Sequence, residues 1–168
     1  MRLFFALWPD AQAAAALAAM ARELALRCGG KPVPQDKIHL TLVFLGDLDE
    51  DRLEDAMRAP SGLELAGFGV TLDQVGSFAG ARVGWAGCRQ PAPGLAGLQS
   101  GLARRLAERG FAPDERPYTP HVTLARKIAR PIPRSPVPEI GWRARELALV
   151  RSDLGKGSYT TLAGWDLT

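Results

Sequence analysis

Two stretches of this 168-residue chain run in the same order 82 residues apart. Pro9 matches Pro91, and Ala14 matches Ala96. Ala21-Arg22 matches Ala103-Arg104, and Leu24-Ala25 matches Leu106-Ala107. His39-Leu40-Thr41-Leu42 matches His121-Val122-Thr123-Leu124. Each stretch reads as strand, helix, proline connector and histidine strand, the signature of a duplicated unit. The length suits one compact domain. The repeat therefore predicts a single bilobal domain over residues 1–168, with pseudo-repeat units at about 2–45 and 82–127. Equivalent units pack about a pseudo-two-fold axis, so a cleft between them receives one His-Thr pair from each.

Local patterns fill in the elements. Arg2 to Trp8 is aromatic and aliphatic and reads as a buried strand. Pro9 fits the first position of a helix, and the Ala-rich run to about Arg27 continues it. Leu17, Met20, Ala21 and Leu24 share one face of that helix, and Cys28-Gly29-Gly30 ends it. After a connector with Pro32 and Pro34, Ile38 to Leu45 is a strand closed by Gly46-Asp47. Asp51 to Ala59 reads as a short helix with Leu53, Ala56 and Met57 inward. Two or three strands are expected between Ser61 and Trp85. Pro93 to Arg109 is an amphipathic helix with Leu95, Leu98, Leu102 and Leu106 inward. A connector with Pro113, Pro117 and Pro120 leads to a strand at His121 to Lys127. Arg130 to Pro138, with four prolines, reads as a loop. Arg143–Ser152 and Ser158–Leu167 then form a hairpin around Gly155-Lys156-Gly157.

The chain has two histidines, and each has a threonine two residues later. Residues i and i+2 of a strand point to the same face. His39 and Thr41 therefore project together, as do His121 and Thr123, while Leu40, Leu42, Val122 and Leu124 face a core. Imidazole titrates nearest neutrality. Two imidazoles across a cleft can divide labour, one taking a proton from water and the other giving one to a leaving oxygen. The neighbouring hydroxyls can donate to phosphoryl oxygens, and the arrangement suits in-line attack on a phosphodiester. An isolated His-x-Thr is commonly structural; two copies matched by a repeat point to function.

Composition narrows the alternatives. Hydrophobic residues are 46% and charged residues 23%, which excludes a wholly disordered or fibrous chain. No stretch approaches the length of a membrane span. The six-residue run Leu3–Trp8, cut by Pro9-Asp10, is too short for a signal peptide and reads as strand. Two cysteines without CxxC spacing point to a reducing, cytoplasmic setting. Cys28 and Cys88 lie far from either histidine, so no metal site and no cofactor is expected. The net charge of +3 is compatible with a phosphate-bearing partner. Of the basic residues, 17 are Arg, suited to bidentate phosphate contacts. Lys127, Arg130 and Arg134 could form a rim that tracks a nucleic-acid backbone or simply a solvated loop. Phe4, Trp85 and Trp142 are aromatic enough to stack a base, but each is read as core packing.

The paired motifs resemble those of the two-histidine phosphoesterases. Arg2-Leu3-Phe4-Phe5-Ala6-Leu7, Lys37-Ile38, Phe44-Leu45-Gly46, Arg116-Pro117-Tyr118-Thr119-Pro120, Ala125-Arg126 and Leu149-Val150-Arg151-Ser152 extend the likeness over nearly the whole chain. Within that superfamily they resemble the RNA 2′,3′-cyclic phosphodiesterases, also called LigT-like proteins or 2′-5′ RNA ligases. Tyr118 stands where the family commonly has Phe. The resemblance implies a bilobal, duplicated α+β fold, with two antiparallel sheets flanking a central cleft and helices outside. It implies metal-independent hydrolysis of a terminal 2′,3′-cyclic phosphate to a 2′-phosphate. By analogy His39 is the general acid at O3′ and His121 the general base, although spacing alone leaves the roles exchangeable. Thr41 and Thr123 hold the phosphate. Arg126 is a further candidate, but a regular strand would turn it away from His121, where it could equally form a salt bridge. The implied partner is RNA with a 2′,3′-cyclic phosphate end, or a cyclic mononucleotide, acted on by a monomer. The alternatives are 2′-5′ ligation, 2′-5′ phosphodiester cleavage, or a non-catalytic RNA-end binding module.

Overall fold

Hydrophobic patterning and the duplication together decide where the strands fall. The computed structural model describes residues 1–112 and 114–168, so Pro113 of the second connector lies outside the described residues. Strand β1 (Arg2–Leu7) leads into helix α1 (Ala11–Cys28). Asp10 caps α1 by accepting from the Ala13 amide at 2.8 Å, so Pro9 precedes the cap rather than starting the helix. Gly29, at φ +70°, closes it in the left-handed conformation. A two-residue strand, β2 (Lys31–Pro32), precedes β3 (Leu40–Asp47). Helix α2 (Leu53–Arg58) buries Ala56, whereas Met57, expected inward, is exposed. Strands β4 (Phe68–Phe78) and β5 (Val83–Gly87) follow. Helix α3 (Pro93–Glu108) carries Pro at its start and buries the four expected leucines. Strands β6 (His121–Arg126), β7 (Ser135–Ala144), β8 (Glu146–Asp153) and β9 (Ser158–Asp166) complete the chain.

The fold is α+β. Among the described residues nine strands form an antiparallel sheet ordered β7-β4-β5-β6-β3-β1-β8-β9, with β2 beside β6. The two expected sheets are present as halves of this array, joined between β6 and β3 through the pair Leu40–Val122. These two residues are 82 apart, so the pseudo-two-fold axis passes through their pairing. The helices bind the halves further. Helix α1 packs on β6 and β7 of the other half, and α3 packs on β3. Leu17, Leu24, Leu40, Leu42, Leu102, Val122 and Leu124 belong to one contiguous buried core.

Two sequence expectations are corrected here. The proline-rich segment read as loop contains the start of β7, Ser135 to Pro138, and β7 pairs with β4 from Phe68–Ala144 to Val75–Ser135. Strand β7 ends the sheet order, and an edge strand tolerates Pro136 and Pro138 because their missing N–H groups can face outward. The strand expected over Arg143–Ser152 is two strands. Arg145 separates β7, in one half, from β8, in the other.

Candidate active site

All five candidate residues, His39, Thr41, His121, Thr123 and Arg126, line one cavity of about 640 Å³. Leu40 and Val122, at the junction of the halves, are fully buried and anchor the strands from behind. Strand alternation then turns the His-Thr pairs to the opposite face.

The two imidazoles are held alike. His39 Nδ1 donates to the Lys37 carbonyl at 2.8 Å, and His121 Nδ1 donates to the Thr119 carbonyl at 2.8 Å. A carbonyl can only accept, so each Nδ1 carries the proton and each neutral ring leaves Nε2 as a free base. Thr41 Oγ1 lies 3.1 Å from His39 Nε2, donating to the neutral ring or accepting from the protonated one. The rings sit among aromatics. His39 stacks on Phe4 at 4.8 Å and meets Tyr159 edge-on at 5.3 Å. His121 meets Phe78 edge-on at 5.1 Å.

These surroundings lower both histidines from their ordinary 6.5. Burial is the main cause in each case, opposed by the bond to the backbone carbonyl. The positive charges of Arg126 and His121 push His39 down further.

Arg126 reaches the cavity through a bulge. Thr123 pairs with Trp85 and Ala125 with Gly84, so Leu124 is the extra residue in β6. Leu124 and Ala125 both turn to the buried side. The bulge reverses the alternation and returns Arg126 to the histidine face. Among the described residues no carboxylate lies within ion-pair distance of Arg126. The salt bridge considered from sequence is not formed there.

The expected basic rim is redrawn. Lys127 lines the cavity. Arg130 instead donates to the Arg27 carbonyl at 2.8 Å, satisfying the end of α1. Arg134 lies 5.4 Å from the Trp85 ring centroid. Neither lines the cavity. The other cations there are Arg2, Lys31 and Lys37, which sequence reasoning missed; Lys31 and Lys37 carried the signal of lying in the connector before the first motif. Phe4, Trp85 and Trp142 are buried as expected, although Phe4 also touches the site. Burial pushes the Cys88 thiol up to about 11, which removes it as a nucleophile at neutral pH.

Residues 8–156 match the model of the 2′-5′ RNA ligase superfamily. This chain belongs to that superfamily. It is 37% identical to the RNA 2′,3′-cyclic phosphodiesterase of Escherichia coli, over 83% of this chain and 81% of the relative. It is 36% identical to the Thermus thermophilus protein of the same name, over 99% of this chain and 90% of the relative. Crystal structures of the superfamily match equally fully. Escherichia coli LigT complexed with 3′-AMP superposes with a TM-score of 0.88 at 33% identity, covering 99% of this chain and 98% of that one. A Thermus thermophilus protein matches with a TM-score of 0.85 at 33% identity and the same coverage.

Proposed function

We propose that this chain hydrolyses the 2′,3′-cyclic phosphate at an RNA end, or on a mononucleotide, to a 2′-phosphate. The observation that carries the reading is the pair of imidazoles facing one cavity, each oriented by a carbonyl two residues earlier. The names of the superfamily relatives support the substrate class.

The chemistry follows from in-line geometry. The nucleophile and leaving oxygen occupy opposite sides of phosphorus, and the two histidines come from opposite halves of the sheet. His121 Nε2 takes a proton from water as its oxygen bonds to phosphorus. The P–O3′ bond breaks, and His39 Nε2–H gives its proton to O3′. One water is added and the 2′-phosphate remains. Thr41, Thr123 and Arg126 bind the non-bridging oxygens, where charge accumulates. The bound phosphodiester anion favours protonated His39 and so offsets the effect of burial. Both imidazoles belong to one chain, which supports a monomer as the working unit and 1–168 as one bilobal domain. No helix among the described residues is long and apolar enough to cross a membrane.

The test is incubation with 2′,3′-cyclic AMP in EDTA and separation of products against 2′-AMP and 3′-AMP. Formation of 2′-AMP alone is expected; 3′-AMP would reverse the leaving group. His39→Ala and His121→Ala are each expected to lower kcat by about 100-fold or more. A variant within a few-fold of wild type would remove that residue from acid–base catalysis.

A second reading, 2′-5′ ligation, is favoured by one observation. A further cavity of about 550 Å³ adjoins His121 and Thr123 and runs past Phe78 to Tyr118. A water nucleophile needs far less room, whereas a 5′-hydroxyl arriving on a nucleotide needs such space. Products from a cyclic-phosphate strand mixed with a 5′-hydroxyl strand separate the two reactions.

A further inference from the structure

The strand that carries the second histidine ends abruptly after Arg126. Lys127 takes the left-handed backbone conformation, at φ +54°. Among the described residues Arg82, at φ +53°, is the other non-glycine residue found there. A side chain with a Cβ enters that region only at a cost in energy. Both residues lie just past the last β5–β6 pair, Val83–Arg126. Arg82 holds the turn from the β5 side. Its carbonyl accepts from the Ile128 amide at 3.2 Å, and its Nε donates to the Ile128 carbonyl at 3.1 Å. Gly30 closes on the turn from the β2 side, where a Cβ would stand 2.8 Å from the Arg126 carbonyl oxygen and 2.9 Å from Ile128 Cγ2. The strain at Arg82 thus serves the turn itself, whereas the strain at Lys127 has a different consequence.

That consequence is where its side chain goes. A strand continuing in alternation would turn Lys127 away from Arg126. The left-handed turn instead leaves both on the wall of the first cavity. Lys31 joins them, because it faces Arg126 across the β2–β6 ladder and lines the same cavity. Residues directly opposite in an antiparallel pair hold their Cβ atoms about 5 Å apart, and like charges there repel. Three exposed cations are therefore gathered at one end of the cavity against backbone strain and mutual repulsion. Among the described residues none of the three is in an ion pair. Asp153, the acid on the cavity wall, accepts from the Gly155 and Lys156 amides of its own turn. A cationic cluster that the fold holds at a cost and leaves unpaired is complementary to an anion.

Arg126 is occupied by the reacting phosphate, which leaves Lys31, across the ladder, and Lys127, next along the chain, for another group. We infer that Lys31 and Lys127 form a second phosphate subsite, which takes the phosphate on O5′ of the terminal nucleotide. This rests on the proposed function and narrows its substrate. The favoured substrate carries phosphate on both sides of its ribose, as the last nucleotide of an RNA chain does, whereas 2′,3′-cyclic AMP carries only the reacting one. Lysine suits the role, because a point charge on a flexible stem holds a phosphate oxygen without demanding one orientation. A contact to phosphate carries no sequence information, so the subsite recognises the chain end and not its base.

The experiment compares 2′,3′-cyclic AMP with the same molecule carrying a 5′-phosphate, so that only the second phosphate differs. Wild type is expected to prefer the 5′-phosphorylated substrate in kcat/KM at low salt, and to lose that preference as salt rises. Lys31→Ala combined with Lys127→Gly is expected to shrink the preference at least about fivefold. Glycine adopts the left-handed turn without strain, so this variant keeps the bend and loses the charge. Lys127→Arg keeps the charge and is expected to keep most of the preference. Arg134→Ala removes a cation outside the cavity and is expected to leave the preference in place. An equal loss in Arg134→Ala would show a diffuse positive field and overturn the inference, as would a wild type indifferent to the 5′-phosphate. The dinucleotide ApA with a 2′,3′-cyclic end separates the two sources of such a phosphate. An advantage equal to that of the 5′-phosphate assigns the subsite to a chain phosphodiester, and an advantage confined to the 5′-phosphate assigns it to a terminal monoester. Calorimetric titration with 2′-AMP and with adenosine 2′,5′-bisphosphate gives a readout that needs no turnover. Tighter binding of the bisphosphate, weakened in the double variant, supports the subsite even if neither substrate is hydrolysed, an outcome that would sink the proposed activity alone. Equal binding of the two by wild type, or binding of neither, overturns the subsite itself.

Discussion

Arg126 joins the electrostatics of the cleft to its chemistry. Its charge is one of the causes that lower His39, after burial, and no shift of His121 traces to it. A cation disfavours a second cation nearby, so replacing Arg126 by a neutral side chain lets His39 hold its proton to higher pH. In Arg126→Gln, one limb of the kcat/KM–pH profile is expected to move up while the other stays in place. The limbs report the pair of histidines together, so the informative quantity is the change between variant and wild type. A profile with both limbs unmoved would show that Arg126 does not reach His39 electrostatically. The same variant is expected to raise KM, because the guanidinium also faces the phosphate. In wild type, burial lowers both imidazoles from 6.5, so the midpoint of the kcat/KM–pH profile is expected below that value.

At the scale of the element, the strands hold the site through a few tight contacts. Tyr118, just before β6, donates from its hydroxyl to the Thr41 carbonyl at 2.8 Å. That bond ties the segment leading to one histidine to the strand following the other. Burial pushes the Tyr118 phenol well above its ordinary value, so the donor stays protonated. Tyr118→Phe is expected to cost about 0.5–1.5 kcal/mol in urea unfolding. In the β4–β5 ladder, Gly76 faces Trp85. A Cβ on Gly76 would sit 2.5 Å from the indole ring of a fully buried side chain. Gly76→Ala is therefore expected to destabilise the fold by about 1–3 kcal/mol through overpacking, read by the same unfolding curve. The His-Thr faces were legible because alternation is a property of any strand. The bulge at Leu124 was not, because that leucine carries no local signal and the extra residue exists only relative to its partner strand. For that reason Arg126 looked misdirected in the sequence. Strand β7 was hidden by its prolines, whose cost depends on being at an edge that only the assembled sheet defines.

For the whole molecule, the duplication explains why the site lies where it does. Two similar halves meet at Leu40–Val122, and the axis through that pair brings the two histidine strands side by side. The halves are alike in backbone and unlike in charge. Arg2 comes from the half with β1 and β3, Lys31 from β2 beside Arg126 and Lys127 in the other half, and Lys37 from the connector before β3, all around the same cavity. Among the described residues none of these five cations is in an ion pair. Asp153 is the acidic residue on that wall, so the cleft is more positive than the net charge of +3 suggests. A mononucleotide brings one phosphate to this field, and an oligonucleotide brings several. A short RNA with a 2′,3′-cyclic end is therefore expected to have a lower KM than 2′,3′-cyclic AMP at low salt. Its advantage should shrink as salt rises, because each neutralised phosphate releases counterions on binding. Lys31→Ala combined with Lys127→Ala should flatten the salt dependence for the RNA more than for the mononucleotide. If RNA and mononucleotide lose affinity in parallel as salt rises, the cations act at the reacting phosphate alone, and the upstream strand leaves the protein as soon as it leaves the cleft.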